Sequence, residues 1–367
     1  MKKFFCLVSA ALLLAACSEK PGYQITGTVS NPELNGQYVY IIPYGIQGDV
    51  IDSALIKNGE FTLKGVKDIA QLCALGIKSE KMAPAGQSPA FTTTFILENG
   101  KMSAILDSFS AVTGTPENNT YSAVLKNIAE TRASLQQYVE EMKSEQKEVA
   151  EAAEKKLDEI DLQVTQIAKN YISSNTDKLS GSKLFFDFRY QLNEDERRDI
   201  LNKANETFKS FPGIDKMEQH LVTLDKVAIG KKFTDFEMAD TKGATHKLSE
   251  YVGNGKVVLI DFWASWCPPC RRDMPHLVEL YKQYKNKNFE IVGISLDSKQ
   301  DAWGKGIKDF AITWPQLSDL KGWQNSGAAL YGVNSIPHTV LVDGKGIIIA
   351  KNIRGKALDL KLEEVLK

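Results

Sequence analysis

Residues 256–270 read Lys256-Val257-Val258-Leu259-Ile260-Asp261-Phe262-Trp263-Ala264-Ser265-Trp266-Cys267-Pro268-Pro269-Cys270. The first seven residues hold an apolar run, Val257–Ile260 and then Phe262, as expected of a strand buried on both faces. A helix is predicted from about Pro268, because proline at the first helical positions costs no hydrogen bond where the N–H groups are orphans anyway. Two cysteines two residues apart then sit where a buried strand turns into a helix. A helix N-terminus stabilises a thiolate through its dipole and free N–H groups. Two intervening residues let the sulfurs close a disulfide with little backbone movement. Cys267 is therefore expected to be the exposed attacking sulfur, and Cys270, inside the first turn, the buried resolving one.

Three further features surround the pair. Asp261 lies inside the apolar strand, where an isolated acid is costly, should titrate high, and can accept the proton of a buried thiol. Pro275 falls inside the predicted helix and implies a kink. Ile336-Pro337 directly precedes a predicted strand at His338–Asp343, where an X-Pro bond in a tight connection can be cis and can bare a backbone edge for an extended peptide. A zinc site is the rival reading of Cys-x-x-Cys. A structural zinc needs four ligands, whereas Cys73 lies in another segment and His220, His246, His276 and His338 form no second paired motif. No metal is expected.

Asp261 to Cys270, Pro275 and Ile336-Pro337 together resemble the signature of the thioredoxin superfamily. The segment Ser295–Val333, ahead of Ile336-Pro337, resembles the insertion of membrane-tethered TlpA/ResA-like thiol–disulfide oxidoreductases, and the resemblance covers about residues 228–367. It implies a thioredoxin-like α/β domain, a dithiol–disulfide cycle at Cys267 and Cys270 helped by Asp261, and substrate contacts at Trp266, Ile336 and Pro337. The redox-active disulfide would be the only redox group, with no separate cofactor. Members of that group are mostly reductants, including those serving cytochrome c maturation, so a reducing role is expected. His338 stands where thioredoxins commonly carry Thr and is read as a polar surface residue.

Outward from this segment, residues 226–367 alternate strand and helix and end in a hairpin at Gly344-Lys345-Gly346, predicting a mixed sheet with helices on both faces. Residues 116–225 read as an α-helical connector. Leu125, Ile128, Leu135, Val139 and Met142 form one amphipathic stripe across a gap at Arg132, and Leu157, Ile160, Val164, Ile167 and Tyr171 form another. Asn193 followed by Glu194-Asp195-Glu196 marks a helix start. Residues 23–115 read as an antiparallel β-sandwich-like domain. Asn58-Gly59 and Asn99-Gly100 each sit between strand-like runs, and Asn-Gly is the preferred pair for a type I′ hairpin turn. This segment resembles the domain-of-unknown-function family 4369, found before thioredoxin domains in Bacteroidetes-type lipoproteins. The expected fold class is thus multidomain α+β.

The N-terminus reads as an address. Lys2 and Lys3 precede an apolar run from Phe4 to Ala16, too short to span a bilayer as a helix, as a secretory signal requires. Leu14-Ala15-Ala16-Cys17 resembles a bacterial lipobox. That resemblance implies a signal peptide over residues 1–16, lipidation of Cys17, and a tether over residues 17–22. Ser18 in place of Asp favours the outer membrane. The expected setting is the cell envelope, facing the periplasm. The expected partners are disulfide-bearing envelope proteins, an upstream membrane electron donor, and the membrane itself through the lipid.

The chain has 367 residues, with 45 Lys+Arg against 46 Asp+Glu and a net charge of −1. That balance excludes a nucleic-acid binder, which needs a basic face. Five cysteines are too few for a disulfide scaffold. Cys6 leaves with the signal, and Cys73 reads as a small buried core residue. Two other functions fit parts of the pattern. One is a thiol peroxidase of the AhpC/TSA type, although the position three before Cys267 is Ala264 where peroxiredoxins carry Thr. The other is a non-catalytic envelope binding lipoprotein, for which Cys267, Cys270, Asp261 and Ile336-Pro337 would serve no purpose.

Overall fold

The computed structural model describes residues 22–45, 49–77 and 91–366. The expected signal, Cys6, Cys17 and residues 83–90, which Pro84, Gly86 and Pro89 lead one to expect as a loop, lie outside them. The chain divides into two compact units, residues 1–215 and 216–367.

Among its described residues, the first unit begins with eight strands: β1 (Tyr23–Val29), β2 (Tyr38–Pro43), β3 (Asp52–Leu55), β4 (Glu60–Gly65), β5 (Gln71–Ile77), β6 (Thr92–Leu97), β7 (Gly100–Leu106) and β8 (Ala111–Thr113). They form two four-stranded sheets, ordered β4-β1-β7-β8 and β3-β2-β5-β6. Alternation along β1 buries Tyr23, Ile25 and Val29, and these pack with Val39, Ile41, Leu75 and Phe95 of the other sheet. Gly27 is needed for a close approach: a Cβ there would lie 2.0 Å from the Phe61 ring of the paired strand. One pairing departs from the antiparallel expectation, since β1 runs parallel to β7.

The two Asn-Gly pairs behave differently. Asn58 and Gly59 adopt φ of 54° and 77°, and Lys57 and Glu60 exchange backbone hydrogen bonds of 2.9 and 3.0 Å around them. The turn is therefore as expected, but β3 and β4 then part into different sheets. Asn99-Gly100 is not a hairpin. Asn99 keeps a negative φ, and its side chain braces the chain at Lys67, accepting from its N–H at 2.9 Å and donating to its carbonyl at 2.7 Å. The chain turns a corner there, leaving β6 in one sheet and β7 in the other.

Helices follow: α1 (Pro116–Thr131), α2 (Leu135–Glu141), α3 (Lys147–Ser173), α4 (Leu179–Asp187), α5 (Glu194–Lys203), α6 (Glu206–Lys209) and α7 (Ile214–Lys226). The expected stripe through Arg132 is broken, because the chain leaves the helix between α1 and α2 and no α2 residue is buried. In α3 the buried line is Ala153, Ile160, Val164, Ala168 and Ile172. It shares Ile160 and Val164 with the expected stripe, while Ile167 and Tyr171 are half-buried beside it. The Asn193 cap is a full capping box with Glu196. These helices are not a separate connector. The edge strand β6 leaves backbone groups unpaired, and Asn118 of α1, 1% exposed, accepts from Ile96 N–H and donates to Ile96 C=O, both at 2.8 Å. The last helix, α7, falls almost wholly in the second unit, so the division lies at 215/216 instead of 225/226. Its Leu224 fills the space in which Gly332 would otherwise carry a side chain.

The second unit contains a small hairpin, β9 (Glu237–Ala239) and β10 (Thr245–Lys247), that sequence patterning does not reveal. It continues with β11 (Val257–Trp263), α8 (Pro268–Tyr284), β12 (Phe289–Ser295), α9 (Gln300–Asp309), β13 (Gln316–Leu317), α10 (Ser326–Leu330), β14 (His338–Val342), β15 (Ile348–Lys351) and α11 (Gly355–Val365). The sheet order is β13-β12-β11-β14-β15. Central β11 pairs parallel with β12 and antiparallel with β14, and all seven of its residues are buried. The mixed sheet is the thioredoxin-like arrangement expected of this segment. Among the described residues, no helix is long and apolar enough to cross a membrane.

Candidate active site

β11 delivers the chain through Ala264-Ser265-Trp266 to Cys267, which caps α8. Cys267 has an extended backbone, and its Sγ accepts from the Cys270 N–H at 3.2 Å. The sulfur thus takes one of the orphan donors of the helix start. Pro268 occupies the first turn at no cost in hydrogen bonds, and Pro275 lies inside the helix. Cys267 and Cys270 are joined as a disulfide, with Cα atoms 5.3 Å apart. The Ile336-Pro337 peptide is cis, and the Ile336 carbonyl oxygen stands 3.6 Å from Cys267 Sγ.

Cys267 is not exposed as the sequence suggests: it is 2% accessible, against 1% for Cys270. The cap explains this, since Sγ folds back over the first turn of α8 and lies against the Ile336 carbonyl. Trp266, immediately before it, is 49% exposed. His338 also differs from expectation. It is 6% exposed, edge-on to Phe262 at 5.9 Å, because β14 pairs it directly with Phe262 of the central strand. Burial, assisted by Lys351, pushes its imidazole down to about 4, so the ring is neutral at pH 7. Among the described residues, its Nε2 has no hydrogen-bond partner.

Asp261 is 2% exposed, and its Oδ2 has no hydrogen-bond partner among the described residues. Burial, with a smaller push from Asp273 and an opposing pull from Arg354, raises its carboxyl to about 7. Asp261 and Cys270 line one cavity of about 10 Å³, closed by Asp273, His276, Pro337 and Arg354. That volume accommodates about one water. Arg354 pairs with Asp273 at 2.9 Å, and His276 meets Asp359 at 2.8 Å. Asp261 can therefore exchange a proton with the Cys270 sulfur through that cavity.

A second buried acid escaped the sequence reading. Asp297, 1% exposed, accepts from Ser265 N–H at 3.0 Å, Ser265 Oγ at 2.6 Å and Ser295 Oγ at 2.8 Å. It fastens the Ala264-Ser265-Trp266 turn to the end of β12. The available signal was its place at the C-terminal end of a buried strand, beside the end of β11, where sites gather in open α/β sheets. Cys73 is wholly buried in the sandwich core. Among the described residues, no group of three or more His, Cys, Asp or Glu is placed to hold a metal.

Fold and site together define a thioredoxin-like thiol–disulfide oxidoreductase domain. The AhpC/TSA family profile matches residues 229–351, and that of the domain of unknown function (DUF4369) matches residues 23–121. Thiol-disulfide oxidoreductase ResA of Bacillus thuringiensis subsp. konkukian is 34% identical over 143 residues, 39% of this chain and 79% of that protein. ResA of Geobacillus kaustophilus is 37% identical over 120 residues, 33% of this chain and 66% of that protein. Among solved structures, the thioredoxin domain of a thiol-disulfide oxidoreductase from Bacteroides vulgatus is 33% identical and covers 38% of this chain and 99% of its own, with a TM-score of 0.36. The chain belongs to the ResA family of thiol–disulfide oxidoreductases.

Proposed function

We propose that this protein is a lipid-anchored reductant of protein disulfides in the cell envelope, working through Cys267 and Cys270. The observation that carries the reading is the pair itself, closed at the N-terminus of α8 with the carboxyl of Asp261 on the same small cavity as Cys270. In the reduced protein, the Cys267 thiolate attacks one sulfur of a substrate disulfide. A mixed disulfide forms, and the other substrate sulfur leaves as a thiolate and takes up a proton. Cys270 then yields its proton to Asp261 and attacks Cys267 Sγ. The second substrate sulfur leaves as a thiol, and the protein keeps the Cys267–Cys270 disulfide. Two electrons pass to the substrate in each cycle, and an upstream membrane donor must return them. The cis Ile336-Pro337 edge and Trp266 border the reacting sulfur and would hold the substrate.

The Lys2-Lys3 and Leu14-Ala15-Ala16-Cys17 pattern supports export and attachment through a lipid on Cys17, with the outer membrane as destination. Insulin reduction tests the chemistry: the wild-type dithiol should precipitate the insulin chains and Cys267→Ser should not. Equal activity of the two proteins would end the proposal. Fractionation of cells carrying Cys17→Ser tests the anchor, which predicts a shift from the membrane to the soluble fraction.

A further inference from the structure

We propose that Trp266 and Trp323 form one aromatic shelf that selects protein disulfides whose cysteine has a large apolar neighbour in an extended chain. This deepens the oxidoreductase reading and rests on it. Five tryptophans occur in the chain. Trp263, Trp303 and Trp314 are buried, whereas Trp266 and Trp323 are 49% and 53% exposed. The two exposed rings lie together, with centroids 6.2 Å apart and planes tilted by 57°. The planes diverge, so the two rings present adjoining apolar faces rather than a parallel slot. A guest side chain resting on them can touch both.

Trp266 is in place because it adjoins Cys267. Trp323 reaches the same spot only through a braced turn between β13 and α10. Leu320 and Gly322 take left-handed φ values of 56° and 57°. Asp319 Oδ1 accepts from Lys321 N–H at 3.1 Å and Asn325 Nδ2 at 3.0 Å, while its Oδ2 accepts from Ser326 N–H at 2.9 Å. Asn325 is itself fully buried and caps α10 by accepting from Ala328 N–H at 2.8 Å. A rigid turn that ends in an exposed indole is preorganised for contact, and rigid tryptophans lose little entropy on binding.

The occupant follows from continuity with the reacting sulfur. A substrate cysteine joined to Cys267 Sγ starts beside Trp266. An extended chain advances about 3.3 Å per residue, so side chains within two positions of that cysteine fall over the shelf. Aromatic and long aliphatic side chains fit it; a glycine or alanine gains nothing there.

The test uses the full soluble chain without its signal and two cysteine-bridged octapeptides that differ only by Phe or Ala beside one cysteine. Wild type should reduce the Phe peptide with a kcat/KM about tenfold above the Ala peptide. Trp323→Ala should bring the ratio near one, and Trp323→Phe should restore most of it. Turnover of glutathione disulfide in each variant reports that the dithiol is intact. A Phe/Ala ratio that Trp323→Ala leaves unchanged would overturn the shelf. A wild type inert toward both peptides and glutathione disulfide would instead overturn the oxidoreductase reading beneath it.

Discussion

Cys73 and Cys267 are almost equally withdrawn from water, at 0% and 2% exposed, yet their surroundings give them opposite chemistry. Cys73 sits on β5 among the aliphatic residues of the sandwich, and burial pushes its thiol up to about 12. It stays protonated and, among the described residues, forms no disulfide. Cys267 caps a helix, receives the Cys270 N–H, and faces a second sulfur three residues on. Burial alone therefore does not make a thiol inert. What decides is whether the buried sulfur is offered donors and a partner.

The largest expected effect separates the two sites outright. Cys267→Ser should lower insulin reduction by at least about a thousandfold, since the nucleophile is removed. Cys73→Ser should leave the catalytic rate within about twofold. Loss of activity in the Cys73 variant at unchanged folding would erase the contrast.

Next in size is Asp261. Its folded carboxyl titrates near 7 against 3.8 unperturbed, so the folded state holds this proton more tightly than the unfolded one. Stability from this group is full below about pH 4 and is lost as pH rises toward 7, by on the order of 4 kcal/mol. Urea titrations across that range should show the fall in wild type and a flatter profile in Asp261→Asn. The rate of the resolving step should rise with pH through about 7 in wild type, as the carboxylate forms, and lose that step in the variant.

A smaller effect is expected at Asp297, whose two carboxylate oxygens both accept hydrogen bonds where Asp261 Oδ2 accepts none among the described residues. Asp297→Asn should cost about 1–3 kcal/mol by replacing one of the two accepting oxygens with an amide donor, read as a lowered Tm, with no change in the pH midpoint of the rate. The smallest is Cys73→Ala, about 1 kcal/mol of core packing, measured by denaturant midpoint.

Much of the second unit was legible because its signals are local. A seven-residue apolar strand, a Cys-Pro-Pro-Cys turn and an X-Pro before a strand each act within a few residues. What escaped depends on distant partners. The exposure of Cys267 and His338 is set by chain that arrives about 70 residues later or earlier, the Ile336 carbonyl and Phe262. The role of Asp297 emerges only once β12 lies beside β11. In the first unit, Asn58-Gly59 set its turn by its own backbone preference. Asn99-Gly100 did not, because the Asn99 side chain was engaged by Lys67, 32 residues away. The helical stripes told which segments coil but not that Asn118 ties α1 to a sheet edge.

The most direct test of the central claim is a trap. The reduced Cys270→Ala protein, mixed with a disulfide-bridged peptide and analysed by mass spectrometry, should accumulate a mixed disulfide at Cys267 and none at Cys73. A peptide adduct that forms at Cys73, or survives intact in the Cys267→Ala, Cys270→Ala double variant, would contradict the account.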